Sequence, residues 1–599
     1  MADIHSRRDI HFLLHEWLDV SRFAERAAFS GQSPEDWNDV LELAEQVATD
    51  QFASHNRKAD ANEPHVNGDG EVVLIPEVAE ALDVFNETGL IAASMDEAVG
   101  GMGLPYTVTS AIFTWLHAAN VATAAYPMLT AGAANLLISA GSEEQIETWV
   151  KPMLEGRFYG TMCLSETQAG SSLADITTRA VPADDGTYRI FGSKMWISAG
   201  EHELGENIVH LVLAKTPGSP AGTRGISLFV VPRILLDEDG NPGERNDVSL
   251  AGINHKMGFR GTVNTVLGFG EGDHRPGGEA GAIGYLVGEE NRGLAGMFHM
   301  MNEARIGVGS GAGALGYTAY LKSLRYARER PQGRPISDGK DQTTPQVPII
   351  EHADVKRMLL AQKSYVEGAL ALNLYCASLV DDQRSAPGET ERERAGLLLE
   401  ILTPIAKSWP SQWCLEANSL AIQVHGGYGY AREYDVEQHY RDNRLNAIHE
   451  GTHGIQAMDL LGRKVTMKGG AAFGALYELI SGTVDRAGNT GGAAAGFADE
   501  LDGSLTRLAE VTAALWADRD PESALANASV YLEAAGHIVI AWAWLEQLLA
   551  VEEKPGDFYD GKRQAARYFF RFELPKTASW MDLLASLDTT TRDMDEAWF

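Results

Sequence analysis

The chain has 599 residues, enough for roughly three to five domains. Its 44% hydrophobic and 22% charged residues, with 62 Gly and 22 Pro, exclude a disordered, collagen-like or coiled-coil chain. Lys and Arg number 49 against 83 Asp and Glu, and the net charge of −34 repels phosphate backbones, which argues against nucleic-acid binding. Three cysteines, Cys163, Cys376 and Cys414, form no disulfide framework, and no Cys/His spacing suggests a metal. Met1 to Ile10 carries no secretory signal. The most apolar window, His537 to Val551, contains Glu546 and suits a buried helix better than a membrane span. A soluble, cytoplasmic protein with no transmembrane segment is expected.

The first 155 residues read as helical, with three- and four-residue apolar spacing at Leu41 to Ala53 and Val78 to Gly89. Gly100, Gly101 and Gly103 then break the pattern. From about residue 160 the segments Asn207 to Lys215, Gly225 to Arg233 and Thr262 to Gly270 are short, β-branched and turn-bounded, the pattern of antiparallel strands. Asp237 to Asp247 and Glu271 to Gly281 read as loops between them. Helical patterns resume near Asn291 and are interrupted by a loop-like stretch from Pro331 to Pro348. Leu501, Leu505, Leu508 and Leu515 share one helical face, which predicts a further helical unit reaching Phe599.

Three segments carry candidate chemistry. CLSETQAGSS (Cys163 to Ser172) sets hydroxyls beside small residues that admit a ligand close to the backbone. FGSKMWISAGEHE (Phe191 to Glu203) places Trp196 among apolar neighbours, a pattern that plain core packing also produces. QVHGGYGYAREYDVEQHYRDNRLNAIHEGTHGIQ (Gln423 to Gln456) joins a glycine turn to Glu450-Gly451-Thr452, a sequence that could also cap a helix.

Together these segments resemble the acyl-CoA dehydrogenase family. SETQAGSS is similar to its T-E-P-x-A-G-S-D signature, GSKMWIS to its G-x-K-x-W-I-T segment, and the third segment to its long C-terminal signature. The resemblance covers roughly residues 70 to 465. It implies a mainly α fold with a middle antiparallel β domain: an N-terminal helical extension (1–40), an α domain (41–158), the β domain (159–288), a four-helix domain carrying the base (289–466) and an additional C-terminal helical domain (467–599). The extra length resembles the roughly 600-residue subgroup that includes 3-methylmercaptopropionyl-CoA, broad-range and long-chain acyl-CoA dehydrogenases.

The resemblance implies FAD as cofactor, α,β-dehydrogenation of an acyl-CoA to the trans-2-enoyl-CoA, fatty-acid β-oxidation, an electron-transfer flavoprotein as acceptor, and a homodimer. Glu450 takes the base position. Leu164, Ser165, Trp196, Ile197 and Ser198 are implied to meet the flavin ring, with Ser171 contacting both FAD and substrate. Gln423, Gly426 and Gly427 are implied at the adenine half, Thr452 at the flavin, and Arg330 at a neighbouring subunit's FAD pyrophosphate. Arg305 and Gly451 are implied on the substrate side; a helix arginine such as Arg305 is also common in surface salt bridges.

Three positions depart from the family pattern: His449 replaces a Tyr before the base, Thr167 a Pro, and Ser172 an Asp. Arg330-Pro331-Gln332-Gly333 lacks the family's Phe. Rival readings are a 3-methylmercaptopropionyl-CoA specialisation, an acyl-CoA oxidase, a flavin-carrying DNA-protection protein and a catalytically silent assembly partner. The charge of −34 and the intact His449-Glu450-Gly451-Thr452 weigh against the DNA reading.

Overall fold

The computed structural model describes residues 4–338 and 343–599. Chain contacts divide the protein into two units, Glu35–Ala304 and Met1–Pro34 with Arg305–Phe599.

The Glu35–Ala304 unit starts with helices α1 (Pro34–Val47), α2 (Pro76–Glu87) and α3 (Tyr106–Ala140). Pro76 opens α2, where its fixed φ suits the first turn and its missing N–H costs nothing. Val78, Ala81, Leu82 and Phe85 then bury one face, as their spacing predicts. Helix α3 is long and apolar enough to cross a bilayer, but most of it is buried in protein. It bends at Asn120, whose side chain accepts from Thr123 N at 3.1 Å and donates to Phe52 O at 3.3 Å, so the break leaves that amide satisfied.

Eight strands follow: β1 (Phe158–Cys163), β2 (Arg179–Pro182), β3 (Tyr188–Ser198), β4 (Asn207–Lys215), β5 (Ile226–Pro232), β6 (Val248–Ile253), β7 (Asn264–Phe269) and β8 (Ala282–Val287). The sheet order is β6-β7-β3-β8-β5-β4-β1, with β2 pairing both β3 and β4. Pairing is antiparallel except at β1–β4 and at one β2–β4 contact, which are parallel. Two strands lie between β1 and β4 in sequence, so no hairpin forces them antiparallel. The expected Asp237 to Asp247 loop is partly ordered instead, because Pro242–Arg245 pairs with Ile234–Leu236. Ile190, Ile197, Val212, Phe229, Leu267 and Phe269 form part of the β core.

In the other unit the N-terminal segment buries Phe12, Leu13 and Leu14. Helices α4 (Gly293–Glu329, in this unit from Arg305 on), α5 (Ala353–Ser385) and α6 (Glu389–His425) are each longer than 30 residues. Of the Pro331 to Pro348 stretch, residues 339–342 lie outside the described residues; its two ends meet through a Pro331–Pro348 bridge. After the Gly426–Tyr430 turn come α7 (Val436–Asn443) and α8 (His453–Asp459). The chain ends in α9 (Ala471–Thr490), α10 (Gly492–Leu515), α11 (Ala528–Ala550), α12 (Asp557–Tyr568) and α13 (Lys576–Ala585). Leu501, Leu505, Leu508 and Leu515 are all buried along α10. Helix α11 is buried nearly all round, with Ile538, Trp542, Trp544 and Leu545 among its core residues.

Candidate active site

On the sheet, β3 carries a bulge opposite β7, between the Ile197–Thr265 and Lys194–Leu267 pairs. Trp196 sits in it with φ of +65°, a left-handed conformation that turns its indole outward. The ring is 58% exposed, so Trp196 is not a core residue. Ser198 lies two residues on, its Oγ accepting from Asn264 Nδ2 at 3.1 Å. Ile197 points into the β core and its carbonyl accepts Thr265 Oγ1, which leaves its side chain unavailable to a ligand.

The loop bearing Leu164 and Ser165 is fastened to the same strand. Met195 N donates to Ser165 O at 2.9 Å, and Lys194 Nζ to Leu164 O at 3.1 Å. Lys194 is fully buried and paired with Glu166 at 2.9 Å. The Glu166 carboxylate also accepts from the N–H and hydroxyl groups of Thr177 and Thr178. Burial alone would raise its pKa; Lys194 and these donors outweigh that and hold it far below the usual carboxylate range. Ser171 is exposed at the tip of the loop.

In the other unit, Glu450 and Gly451 occupy consecutive left-handed conformations, φ +51° and +84°. For a glutamate this is a strained state that its surroundings must hold. Lys407 Nζ donates to the carbonyls of Asn446 and Gly451, both at 2.7 Å, and Gln456 Nε2 to the carbonyl of Glu450 at 3.0 Å. A Cβ at residue 451 would lie 2.6 Å from Gln456 Nε2, so that position needs glycine for space as well as for φ. Thr452 caps α8, its hydroxyl accepting from Ile455 N at 3.3 Å.

Glu450 is solvent-exposed on this loop. Desolvation by the surrounding protein raises its pKa, while Lys407 and Arg305 oppose the rise. Burial pulls the Lys407 ammonium down to about 8, with Glu450 pulling the other way. Arg305 is buried and donates to Asp459 at 2.7 Å, so it is a buried ion pair rather than a surface one. His449 is driven down to about 3 by burial and by Lys407, so it is neutral at physiological pH, with Nε2 2.9 Å from Asn446 Oδ1.

Gln423, Gly426 and Gly427 are exposed at the end of α6. Gly426 has φ +61° and ψ −136°, a region open essentially to glycine, and neither glycine has an atom within 4 Å of where a Cβ would stand. Arg330 is also exposed, its guanidinium 5.4 Å from the centre of the Tyr428 ring beside this turn. Each unit by itself carries groups that suit a part of FAD: in the first, the outward Trp196 indole and the Ser198 hydroxyl for a flat heterocycle; in the second, the exposed Arg330 guanidinium for a pyrophosphate and the uncovered glycine backbone at Gly426 and Gly427 for close approach.

Residue patterns alone did not single out Lys407, Gln456, Asp459, Lys194 or Asn264. Lys407 carries a readable signal, because a lysine inside the apolar run Ile401 to Trp409 must be buried and therefore partnered.

Four family models match in order along the chain. They are the acyl-CoA dehydrogenase N-terminal domain at 34–157, its middle domain at 161–269, its C-terminal domain at 291–465, and the acetyl-CoA dehydrogenase C-terminal-like domain at 476–595. The chain is 40% identical over 492 residues to 3-methylmercaptopropionyl-CoA dehydrogenase of Ruegeria pomeroyi, covering 81% of this chain and 80% of that one. It is 33% identical to the broad-specificity linear acyl-CoA dehydrogenase FadE5 of Mycobacterium tuberculosis over 99% of both. In fold it matches Caenorhabditis elegans ACDH-11 crystallised with C11-CoA, with a TM-score of 0.74, 18% identity and coverage of 98% and 94%. Bacillus anthracis acyl-CoA dehydrogenase complexed with FAD gives a TM-score of 0.73 at 19% identity, with coverage of 94% and 90%. The chain belongs to the acyl-CoA dehydrogenase family. It is an oxidoreductase acting on acyl-CoA with FAD as its cofactor.

Proposed function

We propose that Glu450 is the base that removes the α-proton of the acyl-CoA thioester. The observation that carries this is a carboxyl with a raised pKa, open to solvent, on a strained loop held by Lys407 and Gln456. A raised pKa makes a carboxylate a better-matched base near neutral pH. Proton removal from the α-carbon and hydride loss from the β-carbon leave the trans-2-enoyl-CoA. FAD, when bound, supplies the hydride acceptor. The Glu450 N–H is the donor suited to the charge that develops on the thioester oxygen. His449 is held neutral, with Nε2 2.9 Å from Asn446 Oδ1.

Trp196, Ser198, Leu164 and Ser165 present the face for the flavin ring, with Ser171 at its edge. Gln423, Gly426, Gly427 and Arg330 suit the adenine and pyrophosphate portions. Arg305 orders the base loop through Asp459, and Thr452 holds its far end. The substrate class is a linear acyl-CoA, with the thioether 3-methylmercaptopropionyl-CoA first among candidates because the 40% identical relative bears that name. The electron acceptor is an electron-transfer flavoprotein, and the working form is a cytoplasmic homodimer. The test is a screen of butyryl-, longer linear and 3-methylmercaptopropionyl-CoA against FAD-loaded protein, with an artificial acceptor and a peroxide assay. The expected result is anaerobic bleaching of the flavin with little peroxide in air. A folded, flavin-loaded protein that no thioester bleaches would overturn the reading, and stoichiometric peroxide would make it an oxidase.

A further inference from the structure

Ser408, His453 and Glu533 form a hydrogen-bonded chain that no step above uses. Ser408 Oγ lies 2.8 Å from His453 Nδ1, and His453 Nε2 lies 3.3 Å from Glu533 Oε1. The other Glu533 oxygen accepts Trp413 Nε1 at 2.7 Å. With Nε2–H directed at Glu533, the Nδ1 lone pair is left to accept the Ser408 hydroxyl. The order is that of a nucleophile, a base and an acid, but Ser408 is fully buried and out of reach of any acyl carbon. The chain therefore has a mechanical use.

Its three members come from three places. Ser408 lies on α6 beside Lys407, which holds the Asn446 and Gly451 carbonyls. His453 is the first residue of α8, three positions after Glu450. Glu533 lies on α11, in the C-terminal region beyond residue 470, and α8 packs against α11. Burial alone would raise the Glu533 carboxyl; its bonds from His453 and Trp413 outweigh that and hold it below the usual range. It is therefore an ionised acceptor at neutral pH, and its contact to His453 is charge-assisted.

We propose that the C-terminal helical region is a working part of the active site: Glu533, through His453, is a positioning residue for Glu450. Fixing the start of α8 fixes the strained turn three residues upstream, and with it where the carboxylate is presented. This rests on Glu450 being the base. A misplacement of about 1 Å at a reacting group can cost on the order of 10²-fold in rate.

The test uses full-length, FAD-loaded protein and anaerobic single-turnover reduction by butyryl-CoA and 3-methylmercaptopropionyl-CoA. Glu533→Ala should lower the limiting reduction rate by about tenfold or more, leaving the apparent Kd of the thioester and the flavin content unchanged. His453→Asn, whose amide still reaches Ser408 but not Glu533, should do the same without altering α11. The double variant should be no slower than the slower single one, and Glu533→Gln should recover most of the rate. A selective loss of limiting rate, rescued by the conservative variant, is not what general loosening of the fold produces. Full-speed reduction in His453→Asn, or single losses that multiply in the double variant, would overturn the proposal, and the first of these decides the matter even where Glu533→Ala does not fold. Unaltered protein that no thioester bleaches removes the Glu450 reading as well, whereas unaltered protein that bleaches beside a full-speed His453→Asn removes only the role of the C-terminal region.

Discussion

At the scale of single residues, the site is a balance of buried charges around one carboxylate. Desolvation raises the Glu450 pKa, and Lys407 and Arg305 oppose it. Lys407→Met removes one opposing cation, so the Glu450 pKa rises further. The base works only when ionised, so the rising limb of the reduction rate against pH should move to higher pH. The same variant removes the Lys407 bond to the Asn446 carbonyl and leaves the Gly451 carbonyl only the longer bond from Gln456 Nε2 at 3.4 Å, costing roughly 1–3 kcal/mol for a carbonyl left unsatisfied. Stopped-flow reduction across pH, with a urea melt alongside, checks both effects. An unmoved limb would contradict the electrostatic role. Glu450 itself was legible from its company in the C-terminal signature, and Trp196 and Ser198 from theirs. The left-handed turn at Glu450 was not, since nothing in a Glu-Gly pair fixes φ of the first residue. Lys407 and Gln456 supply that constraint from 43 residues before and six residues after.

Among the elements, β3 and the loop before β2 act together. Lys194, on β3, and Glu166, on the loop, are a fully buried pair, and Lys194 also holds Leu164 O. Glu166→Gln leaves an uncompensated buried ammonium and should cost on the order of 3–5 kcal/mol, read as a lower urea midpoint, with weaker flavin retention because Leu164 and Ser165 lose their anchor. The folded-state pKa of Glu166 lies below its unfolded value, so the pair's stabilisation is fully present above the unfolded pKa of about 4.5 and is lost as pH falls below it. Unaltered acid sensitivity in the variant would refute this assignment. The strands Asn207–Lys215 and Ile226–Pro232 were readable because they are short, mostly apolar runs rich in Val and Ile and bounded by turns. The small pairing of Ile234–Leu236 with Pro242–Arg245 was hidden, because Asp-, Gly- and Pro-rich sequence signals a turn whether or not its flanks pair.

For the molecule as a whole, the N-terminal segment and the C-terminal helices close over the long helices of their unit. Lys562, on α12, is buried between Asp9 and Glu367, 2.9 Å from the Glu367 carboxylate, and Tyr317 OH donates to Asp9 at 3.1 Å. Lys562→Met would leave Asp9 buried without that cation and Glu367 with Lys363 alone, a loss of roughly 3 kcal/mol that thermal melting should register. An unchanged melt would contradict a stabilising role for Lys562 and leave Lys363 as the cation that holds Glu367. This closure was not legible, because Asp9, Glu367 and Lys562 are ordinary charged residues in sequence and hundreds of positions apart. The order of helical, β, helical and further helical regions was legible, since it rests on hydrophobic period alone.

The central claim is that Glu450 takes the α-proton. Glu450→Gln keeps the size of the side chain and removes the base. In anaerobic stopped-flow with a thioester that bleaches the unaltered enzyme, the variant should bind it with similar affinity and reduce its flavin at least about 10²-fold more slowly. Reduction at the unaltered rate in a fully flavin-loaded Glu450→Gln variant would contradict the mechanism.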